Sequence, residues 1–110
     1  MDRAKRKRLE AAGWKFETVE EFLNLTPDEA RLIELRLALS KALKDERRRL
    51  RLTQVEAAKR LNTTQPRVSR MESGDPSVSL EAVFQSLFKL GATNKSLAKT
   101  IGTASAAYAA

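Results

Sequence analysis

The chain has no cysteine and no histidine among its 110 residues. Together these absences exclude disulfides, the usual zinc ligand sets, and every Cys–His or Ser–His nucleophile arrangement. A lack of cysteine also fits a reducing compartment. Aromatic residues are scarce at 5%, so Leu, Ala and Val must pack the core from a 42% apolar total. No apolar run approaches the roughly 20 residues of a membrane span. The basic N-terminus is not followed by the apolar stretch of a signal peptide. No glycine-rich phosphate loop occurs, and the carboxylates form no recognisable catalytic pair. The expectation is one cytoplasmic domain with no membrane, metal or cofactor, and not an enzyme.

What the chain does have is charge, unevenly placed. Its net charge is +7. Residues 1–9 carry five basic and one acidic group, net +4; residues 10–35 carry two basic and seven acidic, net −5. Residues 36–72 carry eleven basic and four acidic groups, net +7, and residues 73–110 add +1. A basic middle behind an acidic segment suggests two surfaces with different partners, although solvated helix faces give a similar count.

The punctuation is helical throughout. "RAKRKRLEAAG" is a basic arm with a helix expected from Arg6 to Ala12 and Gly13 as its left-handed stop. "ETVEEFLNL" offers Thr18 and Glu21 as a capping box, with Phe22, Leu23 and Leu25 as the apolar side. Thr26, Pro27 and Glu29 open a longer helix that nothing interrupts until about Leu50. Leu32, Leu35, Leu39, Ala42 and Leu43 form its stripe, and Ile33 and Leu37 widen the first half enough to predict burial on more than one side. Thr53 caps a helix to Leu61, Asn62 ends it, and Thr64 caps Gln65–Glu72 with Pro66 in the first turn. Ser79 caps "LEAVFQSLFKL" and Gly91 ends it. Asn94 is expected to cap a last helix to about Ile101, before a small-residue tail. The fold class is therefore all-α.

One pair of helices stands out. In "LTQVEAAKRLNTTQPRVSRMESG" the two are joined by only "NTT". At about 100° per residue, Val68 and Met71 share the inner side of the second helix. Pro66 and Arg70 lie opposite, flanked by Gln65 and Ser69, with Arg67 on a shoulder. In the first helix Ala57, Ala58 and Leu61 point inward, and the two alanines allow close approach of the axes. A steep helix pair with hydrogen-bonding side chains outward has the dimensions of a major-groove reader.

This stretch resembles the helix-turn-helix of the lambda-repressor/Cro-like family, also called the XRE family. Thr53, Gln54, Ala58, Leu61, Gln65, Val68, Ser69, Glu72 and Gly74 stand where that family's pattern places them, and the likeness covers about Leu43 to Ile101. There are two departures: Ala57 where leucine is usual, and Arg51 where glycine or asparagine is usual. A left-handed arginine would be strained, which leaves the form of the long helix's end open. The resemblance implies a compact helix-turn-helix bundle with a helical N-terminal extension. It implies that Gln54 holds a phosphate and that Gln65, Pro66, Arg67 and Arg70 face base edges or nearby phosphates, with Thr64 and Ser69 beside them. It further implies that Arg47 and Glu72 form a structural pair that poses the reading helix. The partner is then double-stranded DNA with a two-fold operator, bound by a homodimer.

On this reading residues 1–35 are a basic arm and acidic helical extension, 36–102 the DNA-binding domain, and 103–110 a flexible tail. The extension, with Trp14, Phe16, Phe22 and Leu25, resembles that of HigA-type antitoxins, which implies a repressor that also masks a small basic RelE/HigB-like ribonuclease toxin. A stand-alone or phage-derived repressor, and a protein-interaction module that reuses the fold, are the other two readings.

Overall fold

A computed structural model describes residues 24–109, with side chains through residue 104. The basic arm, the Thr18–Glu21 box and the aromatic residues Trp14, Phe16 and Phe22 lie outside the described residues. Those described form five helices and no strand: α1 (Pro27–Arg49), α2 (Gln54–Arg60), α3 (Gln65–Glu72), α4 (Leu80–Lys89) and α5 (Asn94–Ala109). The expected all-α bundle is what the described residues build.

Each helix begins where a side chain satisfies orphan amides. Thr26 Oγ1 accepts from the Glu29 amide, the Glu29 carboxylate accepts from the Thr26 amide, and Pro27 follows at the first helical position. The same reciprocal box joins Thr53 and Glu56 at α2. Thr64 and Ser79 cap α3 and α4. At α5 the cap is Thr93 rather than the expected Asn94. The Ser96 amide donates to Thr93 Oγ1, the Thr93 amide donates to Ser96 Oγ, and the Leu97 amide donates to the Thr93 carbonyl. A reciprocal hydroxyl pair outcompetes the amide side chain of Asn94, which has no such counterpart three residues on.

The connectors repeat one local form. Arg51, Asn62 and Gly91 have φ of 58°, 56° and 102°. In each case the next amide reaches back five residues, Leu52 to the Arg47 carbonyl, Thr63 to Ala58 and Ala92 to Leu87. This is the Schellman closure, which satisfies helix-end carbonyls. One half-buried residue then leads to the next threonine cap. Asn24, at φ 56°, stands two residues before the Thr26 cap in the same arrangement. Gly74 (φ 75°) also closes α3 this way, and a Cβ added there would lie 2.9 Å from Leu37 Cδ2. Only glycine combines that backbone with that contact.

The core sits where α1 crosses α3 and α4. Leu39 and Leu43 of α1 meet Val68, Met71, Val83, Leu87 and Leu90, all fully buried. Fully burying each such side chain contributes about 1.5–3 kcal/mol before ordering costs. Ala57 and Ala58 are buried where α2 meets α3, as the close approach of their axes requires.

Two expectations fail in α1 and α5. The wide apolar first half of α1 is not buried on several sides: Leu32 is 55% and Leu37 36% exposed. α5 packs along α1 with Leu97 and Ala104 buried, but Leu32 and Ile101 remain exposed at a groove that Leu35 also lines. The last helix does not stop near Ile101 but runs to Ala109. A lone Gly102 costs only about 1 kcal/mol against alanine, and the alanine-rich run behind it contains no proline to break the helix. No helix among the described residues is long and apolar enough to cross a membrane.

Candidate nucleic-acid interface

α3 is short, polar outside and anchored inside. Val68 and Met71 are 1% and 2% exposed and fix its rotation against the core. That rotation leaves Pro66, Arg67 and Arg70 exposed, with Gln65 and Ser69 half-buried beside them. Thr64 is exposed, and its hydroxyl accepts from the Arg67 amide of its own helix. The α3 residues singled out in the sequence therefore share one accessible side.

Gln54 and Gln65 are joined to one another, which the sequence did not reveal. Gln65 Nε2 donates to Gln54 Oε1 at 2.8 Å, and Gln54 Nε2 donates to Glu72 Oε1 at 3.2 Å. Gln65 thus has a partner within its own chain, although the sequence showed none for it. Glu72 also takes both edges of the Arg47 guanidinium, Nε at 2.6 Å and Nη2 at 3.0 Å, while Arg47 Nη1 donates to the Leu52 carbonyl at 2.9 Å. The side chains of Arg47 and Glu72 are 13% and 4% exposed. These bidentate bonds to Glu72 raise the Arg47 pKa above its ordinary value.

The row runs Arg47–Glu72–Gln54–Gln65 and ties the end of α1, the start of α2 and both ends of α3 together. A carboxylate only accepts hydrogen bonds, so Glu72 turns the Gln54 amide nitrogen inward and its oxygen toward Gln65. Gln65 must then donate, which leaves its own oxygen and one N–H unspent. Behind α3, Arg36 Nη1 donates to the Val78 carbonyl and holds the Gly74–Ser79 loop, with Asp75 accepting from the Ser77 amide.

A family model described as a helix-turn-helix domain matches residues 21–95, more than half of the chain. The chain belongs to the helix-turn-helix domain family. No curated protein and no solved structure matches it. In helix-turn-helix terms α2 is the positioning helix, α3 the second helix, and Asn62–Thr64 the turn. Arg67 and Arg70 on α3, Lys59 and Arg60 at the end of α2, and Arg48 and Arg51 where α1 ends are all exposed. No cluster of three or more His, Cys, Asp or Glu residues that could hold a metal ion occurs among the described residues.

Proposed function

We propose that this helix-turn-helix chain is a sequence-specific transcriptional repressor of the lambda-repressor/Cro-like (XRE) kind. It acts in the cytoplasm as a homodimer on a two-fold operator in double-stranded DNA. Gln65, Pro66, Arg67, Ser69 and Arg70 enter the major groove, and Thr64 and Gln54 lie toward the sugar-phosphate edge. The observation that carries this reading is the hydrogen-bonded row behind α3. It spends one donor of Gln65 and leaves an acceptor and a donor side by side, the pair that adenine's N6 and N7 require. Arg70 carries the fork that matches O6 and N7 of guanine, and Pro66, with no side-chain donor or acceptor, fits a thymine methyl. Bacterial antitoxin function is the extended form of the proposal. Its support is the acidic segment 10–35, net −5, a physical complement to a basic ribonuclease toxin.

The test is binding to duplexes selected from a random pool, measured by fluorescence anisotropy across a salt series. Phosphate contacts make log K fall linearly with log salt. Arg70→Ala is expected to weaken the selected duplex by about 1–3 kcal/mol and to relax preference at one base position. Equal loss on every sequence makes Arg70 a phosphate contact instead. A chain that binds no duplex at low salt is a protein-interaction module, and the proposal fails. Purification together with a neighbouring basic ribonuclease tests the antitoxin form.

A further inference from the structure

Five described residues occupy positive φ: Asn24, Arg51, Asn62, Gly74 and Gly91. Four are glycine or asparagine, the residue types that tolerate this region at least cost. Arg51 is the exception, a long side chain held at φ 58° in a connector whose other copies use cheaper residues. Hydrogen bonds on both sides hold its backbone there. The Arg51 amide donates to the Arg48 carbonyl, the Leu52 amide donates to the Arg47 carbonyl, and the Leu52 carbonyl accepts from Arg47 Nη1. Arg51 is thus bolted to the same row that holds Gln54 and Gln65.

Its charge likewise has no ion-pair partner among the described residues. Between Lys41 and Arg51 there are six cations. Lys41, Arg47 and Arg49 pair with Asp45, Glu72 and Glu46. Lys44, Arg48 and Arg51 have no carboxylate within 4.0 Å among the described residues, and Arg48 and Arg51 are both exposed on adjoining turns of chain. In the free protein Arg51 combines a left-handed backbone with an exposed charge that has no carboxylate in reach among the described residues. A ligand bearing closely spaced negative charge supplies that missing partner, and a guanidinium matches phosphate oxygens with two parallel N–H donors.

We infer that Arg51 is a backbone-phosphate contact for duplex DNA, placed by its strained connector at the edge of the row that carries Gln54 and Gln65. This assignment rests on the DNA-binding reading above. It gives Arg51 a ligand-facing role that costs the free fold stability, so one substitution moves stability and binding in opposite directions.

The experiment pairs thermal unfolding of the full chain with duplex binding across a salt series, for wild type, Arg51→Gly and Arg51→Lys. Arg51→Gly is expected to raise Tm, because glycine adopts the connector backbone without strain. It is expected to weaken binding several-fold at low salt, equally on preferred and scrambled duplexes, and to shrink the slope of log K against log salt by about 0.9. Arg51→Lys keeps the charge and should keep the slope. Unchanged affinity and slope in Arg51→Gly, with wild type still binding, overturns the assignment alone. A fall in Tm overturns it too, since the guanidinium would then serve the fold. Wild type that binds no duplex at low salt overturns both this assignment and the reading beneath it.

Discussion

Glu72→Ala is the sharpest perturbation of the row behind α3. The carboxylate accepts three side-chain hydrogen bonds, two from Arg47 and one from Gln54, and its side chain is 4% exposed. Truncation leaves a guanidinium, 13% exposed, with one remaining acceptor at the Leu52 carbonyl. Removing one member of a buried ion pair costs about 3–5 kcal/mol, most of it from the charge left behind. The retained Leu52 bond and partial solvent access place this case at the low end, about 3 kcal/mol. Alanine's better helix propensity at the last position of α3 returns only a few tenths of that. Against a total of about 5–15 kcal/mol for a domain, the loss is large. Urea unfolding followed by far-UV circular dichroism measures it, with m held constant as the check on a two-state transition. A double-mutant cycle with Arg47→Met should return a coupling energy of about 2 kcal/mol. A loss below about 1 kcal/mol, the level of an exposed surface pair, would refute the claim that this pair poses α3.

Two further outcomes follow from the same structure. Ala58→Leu inserts three carbons where α2 meets α3 at a residue 4% exposed, and overpacking should cost about 1–3 kcal/mol in the same unfolding assay; unchanged stability would mean that the two axes do not approach closely. Backbone and hydroxyl hydrogen bonds from Thr26, Thr53 and Ser77 hold the Glu29, Glu56 and Asp75 carboxyls below their ordinary pKa values. Each group therefore stabilises the fold above its unfolded pKa, and that contribution disappears as pH falls through the folded pKa. Tm should drop as pH is lowered below about 4, and Glu56→Gln should flatten part of that drop while lowering Tm at neutral pH; an unaltered acid limb in the variant would contradict the capping role.

The caps of α1 to α4 and the two short helices were legible because their causes are local. Thr26 with Glu29, Thr53, Thr64 and Ser79 each act within three residues, and a single helix period separates Val68 and Met71 from Arg70. What escaped the sequence depends on how helices cross. Gln54 and Gln65 are eleven residues apart, and Gln54 and Glu72 eighteen. They meet only because Ala57 and Ala58 let α2 settle on α3, and no periodicity carries that distance. The same limit explains Leu32 and Leu37. Their spacing matches a buried face, but burial is decided by what covers them, and the groove that Leu32 and Leu35 share with Ile101 and Ala104 of α5 stays open. α5 itself was cut short because its alanine-rich end reads locally as a tail; its hold on α1 through Ala104 is a tertiary fact.

Arg51 shows where local and tertiary causes disagree, and which wins. Residue preference alone speaks against a left-handed arginine, yet the chain adopts that conformation. The Leu52 carbonyl, part of the same closure, receives Arg47, and Arg47 is fixed in turn by Glu72. Strain of about 1–3 kcal/mol at one residue is outweighed by a buried bidentate ion pair and a Schellman closure that relieves helix-end carbonyls. The row that poses α3 thus dictates the backbone of a connector outside it. Loosening that row should release the connector. In an Arg47→Met background, Arg51→Gly should therefore stabilise the fold by less than it does in wild type.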